Sequence, residues 1–307
     1  MPLEGFPANG IVVRDEKNIQ IEKEELYISR TKIEVSYVFK NHSGKDIVTE
    51  VAFPIPLHSY DPTGIIKYPL HGDFTVEVNG TKIKHREITH AILNGKDYTK
   101  LLTKLKVSFK DFECVHSQNK VFDWYFKTLS KSKQKALLDN GLVVIDNELE
   151  QNEPYYLPAW SVETTYHWSQ IFPANKTTSI KHSYTPNASH TPIDNDYKSF
   201  VQRDENIDAR KAEWSDLLCL NSELAKWVKD NVPWFRIYIV DYILTTANHW
   251  KKPIKGFHLI IEADTTGNER VSTCFEKERL IKINDRRYEM TINDFVPDKE
   301  ISVFFLN

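Results

Sequence analysis

Polar and apolar residues alternate with period two in several short stretches, the pattern of strands with one buried and one wet face. Over residues 33–40, Ile33, Val35, Tyr37 and Phe39 alternate with Glu34, Ser36, Val38 and Lys40. Residues 41–46 (NHSGKD) read as a turn. Ile47, Val51, Phe53 and Ile55 then share a face of a second strand ending at Pro54 and Pro56, where the missing amide donors suit a strand terminus or edge. Phe74, Val76 and Val78 alternate next. Asn79-Gly80 tolerates the positive φ angles of a two-residue hairpin turn, with Thr81, Ile83 and His85 as the return strand.

Period two is lost over residues 97–146. Tyr98, Leu101, Leu102 and Leu105 recur at helical spacing, and Phe122, Trp124, Tyr125, Phe126 and Leu129 form an aromatic cluster that reads as core. Residues 131–140 are rich in helix formers, with Gly141 at a C-cap. The β pattern returns where Trp160, Val162, Thr164, Tyr166 and Trp168 share a face. Pro173-Ala174-Asn175-Lys176 reverses the chain, and Thr178, Ile180, His182 and Tyr184 alternate. Residues 185–212 are polar and read as a long loop. Residues 215–230 predict an amphipathic helix with Leu217, Leu218, Leu220, Leu224 and Trp227 as its stripe and Ser215 as N-cap. Strands follow at 237–245, 254–262, 280–283, 288–292 and 301–306, with Asn284-Asp285 as a tight turn.

These elements predict a mainly β (α+β) fold: antiparallel, β-sandwich-like paired sheets with a helical insertion. Residues 1–307 form one composite domain, divisible into a β-sheet body (1–90 with 155–307) and a helical insertion (91–154).

Composition narrows the class. Of 307 residues, 40% are hydrophobic and 12% aromatic, enough for a sizeable core. A formal charge of -3, with no basic half, argues against a nucleic-acid partner. No apolar run reaches the roughly 18 residues of a membrane-spanning helix; residues 234–244 come nearest and are broken by Arg236 and Asp241. Residues 1–10 carry no basic segment followed by an apolar one, so they do not read as a signal peptide; a cytoplasmic protein or a processed, mature form would both begin this way.

The sequence holds no GxSxG, P-loop, GxGxxG or HExxH motif, so catalytic residues stay unassigned and neither a metal nor a cofactor is called for. His85 and His90 are spaced for neither a strand face nor an i,i+4 helix pair. Cys114 and His116 would share a face of an extended segment, where a structural thiol is the plainer reading. Cys114, Cys219 and Cys274 fit no zinc spacing and read either as three thiols or as one pair with a spare. Trp160, Trp168, Trp234 and Trp250 lie on or beside predicted strands. Such aromatics mostly fill cores; Trp160, Trp168 and Trp250 are the candidates for a ligand-stacking surface. Sequons at Asn41, Asn79, Asn175 and Asn187 lie near predicted turns.

Three segments carry a resemblance. Residues 10–56 contain Asn41, Ser43, Asp46 and Ile47, matching an N-S-x-x-D-I turn, and Ala52, Phe53, Pro54 and Pro56, matching AFP-x-P. In residues 164–186, Trp168, Phe172 and Pro173 match W-x-Q-x-F-P, while His182, Tyr184 and Pro186 match H-x-Y-x-P. Residues 242–262 (YILTTANHWKKPIKGFHLIIE) follow a third pattern, with Ala247 where Gly is usual. Together they resemble the bacterial domain-of-unknown-function 4424 family over nearly the whole chain. The resemblance implies an exported protein, periplasmic or secreted, with the sequence beginning as a mature form. It brings no catalytic residues. It implies a disulfide between Cys219 and Cys274, leaving Cys114 as the odd thiol; closing that loop would stabilise by about 4 kcal/mol. The first hairpin is also similar to β-sandwich modules that accompany adhesive von Willebrand-type domains.

The function expected from these readings is a non-enzymatic binding protein of the cell envelope or secreted fraction, with a protein, peptide or glycan as partner. The alternative is a hydrolase-like enzyme with a non-contiguous site near residues 185–212.

Overall fold

The computed structural model describes residues 2–3, 15–59, 73–109, 121–146, 154–186, 188–192, 216, 218–231, 236–263, 269–284 and 286–307. The fold is mainly β, in several antiparallel sheets. The largest sheet runs in the order Ile281–Lys282, Arg287–Phe295, Ile254–Glu262, Glu16–Ser29, Ile33–Asn41, Thr177–Tyr184, Thr75–Val78 and Thr81–Lys82. Trp250–Lys251 adds beside Glu16–Ser29, which runs parallel to it and to Ile254–Glu262. A second sheet is built on Ser161–Phe172, flanked by Ile47–Pro54 and Arg86–Leu93. The third runs Ala188–Pro192, Arg236–Tyr242, Ile301–Leu306, Arg270–Thr273.

Both smaller sheets contribute to one hydrophobic cluster with the large one. Phe39 meets Phe172 edge-on with ring centroids 5.5 Å apart, and Phe74 stacks on Tyr166 at 4.1 Å. Val240, Val303 and Phe305 bring in the third sheet. The alternation read over residues 33–40 is realised in Ile33–Asn41, where Ile33, Val35 and Phe39 are buried. Asn79 and Gly80 turn their hairpin at φ 49° and 77°, although the return strand is only Thr81–Lys82.

The resemblance residues of the first two segments clamp the large sheet to the second. Asn41 is fully buried. Its Nδ2 donates to the carbonyls of Lys45 and Phe172, 2.9 Å each, and its Oδ1 accepts from the Ser43 amide and hydroxyl at 2.8 Å. Asp46 accepts from the Ala174 amide at 2.8 Å. Asn41→Ala removes the buried donor to the Phe172 carbonyl and the bonds that hold the turn at Ser43 and Lys45, so urea unfolding should show a loss of about 2 kcal/mol.

Among the described residues of 97–146 three helices form, Thr99–Leu105, Val121–Thr128 and Lys131–Asp139, and share a separate hydrophobic cluster with Ala91, Trp160 and Val162. Gly141, at φ 67°, ends the last of them: its amide donates to Leu138 O, and that of Leu142 to Leu137 O.

Four sequence readings need correction. Residues 97–146 are not all helical: Val143–Asp146 pairs with Tyr155–Pro158. Arg86–Leu93 and Lys96–Asp97 form a further hairpin, turned by Asn94-Gly95 at φ 50° and 72°. The polar loop expected from residue 185 contains the strand Ala188–Pro192, paired with Arg236–Tyr242; residues 193–212 lie outside the described ones. The helix expected at 215–230 is Ser222–Asn231, because Cys219 turns at φ 50° and Asn221 Oδ1 accepts from the Leu224 amide at 2.9 Å. Ser215 lies outside the described residues.

Candidate functional site

Two places concentrate chemistry. The first is interior, where all three sheets meet. A β-bulge between Ile21 and Lys23 shifts the phase of Glu16–Ser29, so Ile19 and Ile21 and then Glu24, Leu26 and Ile28 all face the core. Glu24 is thereby buried, 1% exposed, beside Tyr37 and Tyr242, whose hydroxyls lie 2.9 Å apart. Neither carboxylate oxygen makes a well-aligned hydrogen bond; the groups that approach it are the Tyr37 and Tyr242 hydroxyls. Burial raises its pKa to about 8, partly offset by the two tyrosine hydroxyls, so the group is neutral at pH 7. Burial also pushes Tyr37, Tyr184 and Tyr242 up.

His182 faces the same space from Thr177–Tyr184, its ring 4.0 Å from that of Phe53. Neither ring nitrogen has a partner, and burial lowers its pKa to about 3. The Trp168 indole N–H is likewise unpartnered. These groups border a chamber of about 30 Å³ whose walls include Tyr37, Phe53, Trp168, His182, Tyr242 and Trp250. That is room for one or two waters, not for a peptide or sugar. One wall is the turn Thr245–His249, and at its start the Glu300 carboxylate accepts from the Leu244 and Thr245 amides. All three resemblance segments contribute residues to this chamber.

Trp160, Trp168 and Trp250 are 3%, 5% and 5% exposed. They are interior side chains and not an exposed platform: Trp168 and Trp250 face the core from their strands, and Trp160 is buried just ahead of Ser161–Phe172. Trp160 packs edge-on to Phe122 in the helical cluster, while Trp168 and Trp250 line the chamber. In the aromatic cluster read as core, Phe122 and Phe126 are buried and Trp124 is exposed. His85 and His90 do not converge: His85 lies edge-on to Phe74 and Tyr166, and His90 bonds Asp97 at 2.9 Å. Among the described residues no group of three or more His, Cys, Asp or Glu is placed to hold a metal ion. Cys114, His116 and Asn187 lie outside the described residues.

The second place is a surface cleft of about 1040 Å³ beside a disulfide. Cys219 and Cys274 are bonded, with Cα atoms 5.2 Å apart. The bridge ties the segment before Ser222–Asn231 to the end of Arg270–Thr273, the edge strand of the third sheet. Ser272 Oγ donates to the Leu218 and Cys219 carbonyls, and Thr273 Oγ1 to that of Ser302. Opposite stand Lys282, Asn284, Arg286 and Tyr288 at the end of the large sheet. Among the described residues four cations line the cleft: Arg270, Lys277, Lys282 and Arg286. Of its three carboxylates, Glu223 and Glu278 are exposed, while Glu269 is buried and paired with Arg30 at 3.4 Å. No single motif announces this cleft: its walls come from residues 219–224 and 269–288, joined by the bridge.

Fold and site together define a disulfide-tied protein of several antiparallel sheets, with a polar interior chamber and a charged cleft. The chain belongs to the family described as Domain of unknown function (DUF4424), whose model matches residues 5–304. Among solved structures it is similar to a protein of Legionella pneumophila subsp. pneumophila str. Philadelphia 1 described as a candidate nutrient binding protein: 14% identity, TM-score 0.45, 99% of this chain and 69% of that one. It is also similar to an M1 zinc metallopeptidase from Deinococcus radiodurans: 8% identity, TM-score 0.30, 95% of this chain and 43% of that one. No curated protein matches the chain. No helix among the described residues is long and apolar enough to cross a membrane.

Proposed function

We propose that this chain is an exported, non-enzymatic binding protein whose ligand occupies the cleft beside Cys219–Cys274. The observation that carries this reading is the cleft itself, which at about 1040 Å³ has the volume of a ligand site. Its walls are a sheet edge, a capped helix start and a covalent bridge, supports that hold side chains in place. The hydroxyls of Ser272 and Thr273 are committed to main-chain carbonyls, which favours recognition over nucleophilic chemistry. The disulfide supports an oxidising compartment, periplasmic or extracellular. The separate cluster of the helices supports reading 91–154 as an insertion in one composite domain.

Glycan and peptide arrays probed with the labelled chain test this. The wild type should bind a subset of features, and the double variant Lys282→Glu/Arg286→Glu, changed only at exposed positions, should lose them by at least tenfold. An unchanged pattern in the variant, or no bound feature at all, would remove the cleft from consideration.

A further inference from the structure

We propose that the interior chamber is a second binding site, independent of the cleft, and that its ligand is a neutral alcohol of one carbon. The side chains on its walls set the polar end of that ligand. The Trp168 indole N–H has no hydrogen-bond partner and can only donate, so the ligand must offer a lone pair. His182 is neutral and has no partner at either ring nitrogen, so one of the two calls for a donor. At 5% and 2% exposed, both side chains lie where an unmade hydrogen bond is costly. One hydroxyl answers both, accepting from Trp168 and donating to His182. The Tyr37 and Tyr242 hydroxyls on the same walls are already engaged, with each other and with Glu24.

Charge and size narrow the class. An ammonium ion has no lone pair to accept from Trp168. An anion would sit among aromatic rings, with no Lys or Arg on the walls among the described residues. About 30 Å³ admits a molecule of one or two heavy atoms. The second atom meets hydrocarbon: Ile21, Val51, Ile180 and Leu244 complete the lining. A methyl group packs against these side chains, whereas a second water gains no hydrogen bond from them. Thr246 and Ala247, half-buried on the turn Thr245–His249, form the outer wall and hence the way in.

The probe is isotope-labelled methanol, titrated into the whole chain while the tryptophan indole N–H signals are followed by NMR. Trp168→Phe assigns the Trp168 signal. Two heavy atoms support a dissociation constant of about 5 mM at best. The Trp168 signal should therefore shift saturably, with a midpoint of about 5–50 mM, and should show a nuclear Overhauser effect from the methanol methyl group. Trp124, 68% exposed, should drift linearly as a solvent control. Ammonium chloride and 1-butanol should give no saturable shift at Trp168. In His182→Phe, checked for folding by circular dichroism, the midpoint should rise at least tenfold. Should that variant not fold, the methyl-to-indole effect in the wild type decides alone. A Trp168 shift as linear as that of Trp124, equal binding of ammonium or 1-butanol, or an unchanged midpoint in folded His182→Phe would overturn the proposal. So would a water-to-indole effect at Trp168 that methanol does not displace, which would show structural water only. None of these outcomes bears on the cleft.

Discussion

The unfolding free energy should hold a plateau between about pH 4.5 and 6.5 and fall on both sides, because Glu24 is held near pKa 8 and His182 near 3. Glu24 rises from 4.5 on folding, so the native state holds its proton where the unfolded chain has released it. That contribution is fully present below pH 4.5 and is lost as pH rises towards 8, about 5 kcal/mol in all. His182 moves the other way, from 6.5 down to about 3, so the unfolded chain takes up a proton that the native state refuses. Its penalty is absent above pH 6.5 and grows as pH falls. Between 4.5 and 6.5 the two slopes cancel. Between 6.5 and 8 only the Glu24 slope remains, a net fall of about 2 kcal/mol. The tyrosines facing the pair stay neutral throughout, because burial raises their pKa values. Surface carboxylates held low by cationic partners, such as Glu25 with Lys23 and Glu289 with Arg287, steepen the acid limb. The alkaline limb is therefore the diagnostic one. Urea midpoints of Glu24→Gln should be flat from pH 6.5 to 8 while those of the wild type decline; parallel declines would show that Glu24 is not the buried acid.

Replacing both Cys219 and Cys274 by serine should lower stability by about 4 kcal/mol, from the entropy regained by a loop of 55 residues in the unfolded chain. The bridge joins two elements that otherwise meet through few bonds: Ser272 Oγ on the Leu218 and Cys219 carbonyls, and a small cluster in which Leu218 and Val228 pack against Ile237, Ile239, Phe304 and Leu306. The first consequence should be local, with amide exchange rising in Ser222–Asn231 before the large sheet is affected. Cys274 is exposed, so dithiothreitol should bring the wild type to the variant's urea midpoint. Equal midpoints with and without reductant would show that the bridge contributes nothing.

Much of the β framework was legible wherever alternation is clean. The strands at Ile33–Asn41 and Thr177–Tyr184 follow directly from their period-two faces, and Gly141 marks its helix end through a positive φ that a side chain resists. The longest strand, Glu16–Ser29, was not legible, because its bulge shifts the phase after Ile21 and places Glu24 at a core position. Arg86–Leu93 escaped because its inward side is carried by Thr89 and Ala91, too small and too polar to stand out. Its Asn94-Gly95 turn carries the same signal as Asn79-Gly80 and could have located it. The tryptophans were visible but their depth was not: Trp160, just ahead of Ser161–Phe172, and Trp168, within it, serve two different clusters. The cleft was the least legible feature, since its cations come from a strand end, a short turn and a sheet edge brought together by the disulfide.

Amide hydrogen exchange with and without a saturating ligand identified on the arrays tests the cleft most directly. Protection should increase in residues 270–273, at the start of Ser222–Asn231 and across 280–288, with the strands around the interior chamber unchanged. Protection confined to other surfaces, or none at saturating ligand, would contradict the assignment of the cleft as the ligand site.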